Sequence, residues 1–259
     1  MSFLGTTDFF LEVAKGNVAG HRMVHKFGSN DSVGNSLEPI SQGGMYPTPQ
    51  VGAATALRIK AGDSDDDAAG IGAREVTLEG LDEAGALATE VLATAGTSAS
   101  SNTTATFIRL FRAYVSKSGT YANSTTGSHA DDVVIENAAG TDDWLTIILN
   151  HFPRSQSEVG VYTVPVGEKA YILSALVTTD SSKTTEILLF RRNGVLDTSP
   201  PYDAMREIYT ATTKGSVLNI KPRSPMGPFA GPIDIGWMAK VDSGNAVVSV
   251  DYEILLVED

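Results

Sequence analysis

The chain has 259 residues, 42% hydrophobic and 19% charged, enough to bury a sizeable core in one large domain or two small ones. A formal net charge of -12 repels a phosphate backbone and excludes nucleic acid as a nonspecific partner. The absence of cysteine excludes thiolate metal sites, thiol nucleophiles and disulfide staples, leaving packing, backbone pairing and association to hold the molecule together.

Residues 1–50 are glycine-rich and irregular, closing on GGMYPTP, where Gly43, Gly44, Pro47 and Pro49 oppose a long helix or a central strand. They read as an extended N-terminal arm. Met1 to Phe10 lacks a basic flank followed by a long apolar core, and no window approaches the ~20 apolar residues that cross a bilayer. A soluble chain with no export signal and no membrane partner is expected. Within DFFLEVAKGNVAGHRMVHKFG, residues 8–28, His21 and His25 are four apart and would share one face of a helix as a zinc half-site. Gly16, Gly20 and Gly28 argue against that helix, and no acidic residue lies between the histidines. On a strand, His21, Met23 and His25 share one face while Arg22, Val24 and Lys26 share the other.

From Val51 to about Asn150 the texture is one of short strand-like runs, ALRI, REVTLEG, TFIRLFRAYV, VVIEN and DWLTIIL, divided by small polar residues. A smaller β-rich domain is expected over 51–150. Ala84, Leu87, Ala88, Val91 and Leu92 also fit a helical spacing, but residues 74–95 alternate as a hairpin turning at Leu-Asp-Glu-Ala-Gly, which we prefer. TAGTSASSNTTAT, residues 94–106, reads as a solvated loop or weak edge strand. Asp63, Asp65 and Asp67 alternate like the first half of a calcium loop, yet Ala68 replaces the turn glycine and Arg74 the closing glutamate, so a solvated loop is the better reading. Gly70 and Gly72 form no phosphate cradle without a third glycine and a following helix. The neighbouring pairs Asp131/Asp132 and Asp142/Asp143 point to opposite faces of a strand and cannot flank one glycosidic bond.

The remainder, 151–259, carries longer strand runs: VGVYTVP, KAYILSALVTT, TTEILLFRR, VLNIKP and AVVSVDYEILLVE. Pro165 and Gly167 in GVYTVPVGEKAYI mark a hairpin turn, and Asn193-Gly194 marks another. KPRSPMGPFAGP, with Pro222, Pro225, Pro228 and Pro232, reads as a long crossing loop of the kind a Greek-key sandwich uses when a strand changes sheet. The expected fold is therefore all-β: a jelly-roll-like C-terminal β-sandwich, a smaller β-region before it and the extended arm. No GxSxG, SxxK or Ser-His-Asp pattern stands in a convincing context, so no catalytic residue, metal ligand or cofactor site is assigned.

The opening FFLEVAKGNVAGH with VHKFG, the following GGMYPTP, the segment AAGIGAREVTLEGLDEAG and GVYTVPVGEKAYI together resemble virion structural proteins of tailed bacteriophages, of the capsid cement or decoration type. The resemblance runs in order along most of the chain. It implies a noncatalytic protein of the capsid exterior, made in the host cytoplasm and needing no cofactor. It also implies a homotrimer that clamps neighbouring major capsid protein subunits. An extended stretch of ~25 residues can reach ~80 Å. On this reading residues 8–28 are an anchoring arm, with Phe9, Phe10, Leu11, Val13, Val18, Met23, Val24 and Phe27 at an interface. The competing expectation is that this stretch is the first strand of the chain's own core. An alternative function, a tail or fibre component recognising host carbohydrate, calls for an exposed aromatic cluster beside a polar groove. Tyr202, Tyr209 and Trp237 read instead as core or interface residues. A hydrolase would require a constellation the sequence does not display.

Overall fold

The computed structural model describes residues 8–41, 54–119, 128–151, 154–180, 183–193, 195, 203–211 and 216–259, with 203–211 and 216 described through their backbone. These residues form seventeen strands and one short helix, so the all-β expectation holds. In chain order, α1 (Phe9–Ala14) leads into β1 (His21–Val33) and β2 (Glu38–Pro39). The middle of the chain holds β3 (Leu57–Ala61), β4 (Ala73–Asp82), β5 (Leu87–Ala93), β6 (Phe107–Ser118), β7 (Val133–Asn137), β8 (Asp143–Ile147) and β9 (Gln156–Glu158). Then come β10 (Val161–Val164), β11 (Glu168–Thr179), β12 (Thr184–Arg192) and β13 (Asp203–Ala211). The last are β14 (Ser216–Ile220), β15 (Met226–Ala230), β16 (Ile233–Val241) and β17 (Ala246–Glu258).

Four sheets result. One runs β1-β17-β11-β14, with β15 also on β11, and a second runs β10-β16-β12-β13, with β2 also on β16. Their pairing is nested: β12 with β13 innermost, then β11 with β14, β10 with β16, and β1 with β17 outermost, all antiparallel. The two sheets touch where Trp237 of β16 meets Tyr252 of β17 edge-on at 6.4 Å between ring centres. The other two sheets, β3-β7-β8 and β5-β4-β6-β9, form a unit inserted between β2 and β10. Sheet membership changes at Val159 and Gly160, and one continuous apolar cluster runs through both units, from Leu57 and Trp144 to Trp237 and Leu256.

The arm expected over residues 1–50 is corrected for 21–39. β1 pairs with β17 from His21↔Val257 to Val33↔Ala246, and β2 adds to β16. Within β1, Gly28 lets three backbones converge. A Cβ there would lie 2.1 Å from the Ile40 carbonyl oxygen and 2.5 Å from Gly160 Cα. Gly43, Gly44, Pro47 and Pro49 lie outside the described residues.

The β4–β5 hairpin forms as preferred over the helix, its turn held by Asp82 Oδ1, which accepts the amides of Ala84 and Ala86 at 2.9 Å each. The hairpin expected across Pro165–Gly167 does not form. β10 pairs with β16 and β11 with β17, so the turn carries the chain from one sheet to the other. The local turn chemistry is right, with Gly167 at φ +79, but partner choice is decided by distant strands. Residues 94–106 are not simply solvated either. Ser100 and Thr103 donate their amides to the carbonyls of Ile59 and Leu57, and their hydroxyls accept the amides of the same two residues, sealing the free edge of β3. Part of KPRSPMGPFAGP is a strand, β15, which pairs with β11. Gly194 of the expected Asn-Gly turn lies outside the described residues.

Candidate functional site

Two surfaces stand out, one at α1 and one where the inserted unit meets the five-stranded sheets. Asp8 begins α1 by accepting the amides of Phe10 and Leu11 on Oδ1 at 3.0 and 3.4 Å. Lys15 follows as the C-cap and Gly16, at φ +75, turns the chain away. This one-and-a-half-turn helix buries Val13 and leaves Phe9, Phe10 and Leu11 exposed at 46%, 44% and 51%. Phe9 and Phe10 meet edge-on at 5.4 Å, and Phe9 also contacts the His21 ring at 5.8 Å. Of the other residues expected at an interface, Val18, Met23, Val24 and Phe27 are half-buried.

β1 separates its faces as strand alternation requires. Arg22 and Lys26 turn inward: Arg22 donates to Glu168 at 2.7 Å and to the Tyr162 hydroxyl at 3.2 Å. Lys26 lies 3.0 Å from Glu158 and donates to the Phe111 carbonyl at 3.3 Å. Burial pushes the Lys26 ammonium below its ordinary range against the pull of Glu158. Burial likewise pushes the Tyr162 phenol up to about 12, although Arg22 opposes it. On the opposite face His25 is 2.5 Å from Asp251, and His21 Nδ1 is 2.9 Å from the Ala19 carbonyl. The two histidines are thus engaged separately, while His151 pairs with Asp31 and His129 is buried. Among the described residues no group of three or more His, Cys, Asp or Glu side chains gathers as a metal site.

The acidic loop has a structural logic that the sequence concealed. Asp63 and Asp67 accept the amides two residues ahead, at 2.8 and 3.0 Å. Asp66 is fully buried and receives the amides of Ala73, Ala130 and Asp131 at 2.7–3.1 Å, pinning two loops together. Of the paired carboxylates, Asp132 accepts the Leu149 amide at 2.7 Å and Asp142 accepts from Asn137 and Thr141. These are loop fasteners. Trp237 is fully buried in the core, Tyr202 lies outside the described residues, and the Tyr209 side chain does too.

Between β1 and the outward face of β4, β6 and β9 opens a cleft of ≈ 600 Å³. Its floor continues the cross-strand registers Glu79↔Arg112 and Arg112↔Glu158 toward Lys26. Sequence reading missed this feature, because its residues come from six segments, around 22–27, 79–80, 87–89, 111–112, 156–162 and 251, that only the sheet topology brings together. Beneath the junction of the two units lies a further buried cluster. Arg192 binds Asp234 at 2.7 Å, Thr163 donates to it at 2.6 Å, and Arg109 of the inserted unit stands 3.6 Å away while donating to the Val195 carbonyl. Among the described residues, no helix is long and apolar enough to cross a membrane.

No family model matches the chain, and no curated protein matches it. Among solved structures, it is similar to the STIV MCP at a TM-score of 0.23 and 9% identity, covering 89% of this chain and 96% of that one. It is also similar to a structure of infectious bursal disease virus Gt strain, at a TM-score of 0.26 and 8% identity over 96% of this chain and 78% of that chain. A third is the insecticidal delta-endotoxin Cry8Ea1 from Bacillus thuringiensis, at 0.24 and 11% over 92% of this chain and 59% of that chain. Likenesses at this level leave function to be argued from the chain's own residues.

Proposed function

We propose that this chain is a noncatalytic virion structural protein that binds the outside of a phage capsid and stabilises contacts between major capsid subunits. The observation that carries the reading is α1. Three consecutive large apolar side chains, Phe9, Phe10 and Leu11, stand about half exposed on a helix that contributes only Val13 to the core. Full burial of such a side chain is worth about 1.5–3 kcal/mol, and roughly half of that is still to be gained at each position by docking on a partner. Repetition over a shell multiplies a modest gain through avidity. The nested strand pairing supports a jelly roll for the sandwich, because eight strands joined as β1/β17, β10/β16, β11/β14 and β12/β13 are a long hairpin rolled into two facing sheets. A homotrimer fits the local threefold positions of an icosahedral lattice.

The test is cryo-electron microscopy of virions assembled with the wild-type chain and with a Phe9→Ser/Phe10→Ser/Leu11→Ser variant. The reading expects copies in the hundreds on the outer shell, grouped in threes, with α1 against a neighbouring subunit. The variant should be missing from the shell while melting at the wild-type temperature in isolation. A handful of copies at one vertex would favour the tail or fibre alternative. Wild-type occupancy by the variant would remove α1 as the anchor.

A further inference from the structure

The floor of the cleft places Glu79, Arg112, Glu158 and Lys26 in sequence across three strands of one sheet and onto β1, so that negative and positive groups alternate. Each charge is answered by its neighbour, and the floor favours neither an anionic nor a cationic occupant. At its centre Arg112 is held in one orientation. Its Nε donates to Gln156 Oε1 at 2.7 Å, and its guanidinium lies 4.3 Å from the centre of the Tyr114 ring. Its Nη1 stands 3.8 Å from Glu79 Oε2, beyond hydrogen-bond length, and the two side chains are 35% and 38% exposed. A fixed guanidinium edge and a carboxylate therefore face one opening side by side, close enough to balance each other's charge but not to hydrogen-bond.

Hydroxyl groups suit that gap, since each can accept from the guanidinium N–H and donate to the carboxylate in the same plane. Two hydroxyls on adjacent carbons engage both partners at once. Leu87, 50% exposed at the cleft wall, adds the apolar surface on which the C–H face of a ring would lie. The cleft volume falls in the range of small-ligand sites.

We propose that the cleft binds a neutral carbohydrate, gripping a vicinal diol between Arg112 and Glu79 with Leu87 against the C–H face of the ring. The site is separate from α1, so it adds a recognition function to the capsid-binding one and does not depend on it.

The experiment is to probe an array of neutral, sialylated and sulfated oligosaccharides with the labelled full chain. The strongest neutral binder is then titrated by calorimetry against wild type, Glu79→Gln and Leu87→Ser, and again after periodate cleavage of its vicinal diols. Leu87 is exposed and Glu79 half-buried, and the thermal melts of both variants check that folding is unaffected. Binding to neutral glycans, weakened about ten-fold or more in each variant and lost after periodate, is expected. The proposal is overturned if no neutral glycan binds, if only anionic glycans bind, if both variants bind as wild type, or if the periodate-treated glycan binds undiminished.

Discussion

At the scale of single residues, the charges that matter most here are those the fold has taken out of water. His129 is the clearest case. Burial pushes its imidazole below the ordinary histidine range, and the nearby carboxylates of Asp66, Asp132 and Asp131 do not restore it. As the pH falls, the unfolded chain takes up this proton first. The contribution is therefore intact above the unfolded pKa of about 6.5 and is lost as the pH drops from there toward the folded value. Urea unfolding between about pH 7.5 and 5.5 should show wild type losing stability more steeply than His129→Gln, by at most about 1.4 kcal/mol per pH unit. Equal slopes would mean that His129 takes up its proton freely in the folded protein. Nothing in the sequence marks this residue, because SHADD reads as a polar turn. The same holds for Asp66, one of four neighbouring acidic positions and the fully buried one, chosen by three amides that arrive from residues 73, 130 and 131.

At the scale of elements, what could be read was whatever depends on neighbours in sequence. Strand alternation placed His21, Met23 and His25 opposite Arg22, Val24 and Lys26, and Asp82 with Gly85 marked the β4–β5 turn. What could not be read was partnership, since β1 finds β17 more than two hundred residues away, and β10 and β11 part company at a turn that locally resembles any hairpin. Lys26 and Arg109 mislead for the same reason: a cation in a strand reads as solvent-facing until Glu158 or Asp234 is brought beside it. Glycine carried more information than its local context suggested. Gly28 looks like one punctuation mark among several, yet it is where β1, Ile40 and Gly160 touch. Gly28→Ala should cost about 1–3 kcal/mol in urea unfolding, because its Cβ meets backbone atoms that cannot rotate away. Gly34→Ala, on the same connection, meets only the flexible Glu38 side chain, at 3.1 Å, and should cost much less. Equal effects would show that β1 does not need the close approach at Gly28.

At the scale of the whole molecule, the question is how the inserted unit and the two five-stranded sheets are held together. Two links join them: the apolar cluster that runs through both, and the buried group in which Arg109 and Arg192 share the Asp234 carboxylate. Arg192 and Asp234 both lie in one five-stranded sheet, on β12 and β16, whereas Arg109 joins them from β6. Arg109→Met keeps most of the side-chain volume and leaves the Arg192–Asp234 pair intact, so its effect should fall on coupling between the units. Asp234→Asn instead leaves two buried guanidiniums facing an amide, and should cost about 3–5 kcal/mol. The chain's two tryptophans make the distinction measurable, since Trp144 lies in β8 of the inserted unit and Trp237 in β16 of a five-stranded sheet. In single-tryptophan backgrounds, Trp144→Phe and Trp237→Phe, wild-type urea transitions should coincide at one midpoint. With Arg109→Met added, the Trp144 signal should unfold at lower urea than the Trp237 signal. With Asp234→Asn, the Trp237 signal should shift down as well, because Arg192 also loses its partner. Coincident midpoints for Arg109→Met would assign the coupling to the apolar cluster and leave the buried arginine with a role inside its own unit.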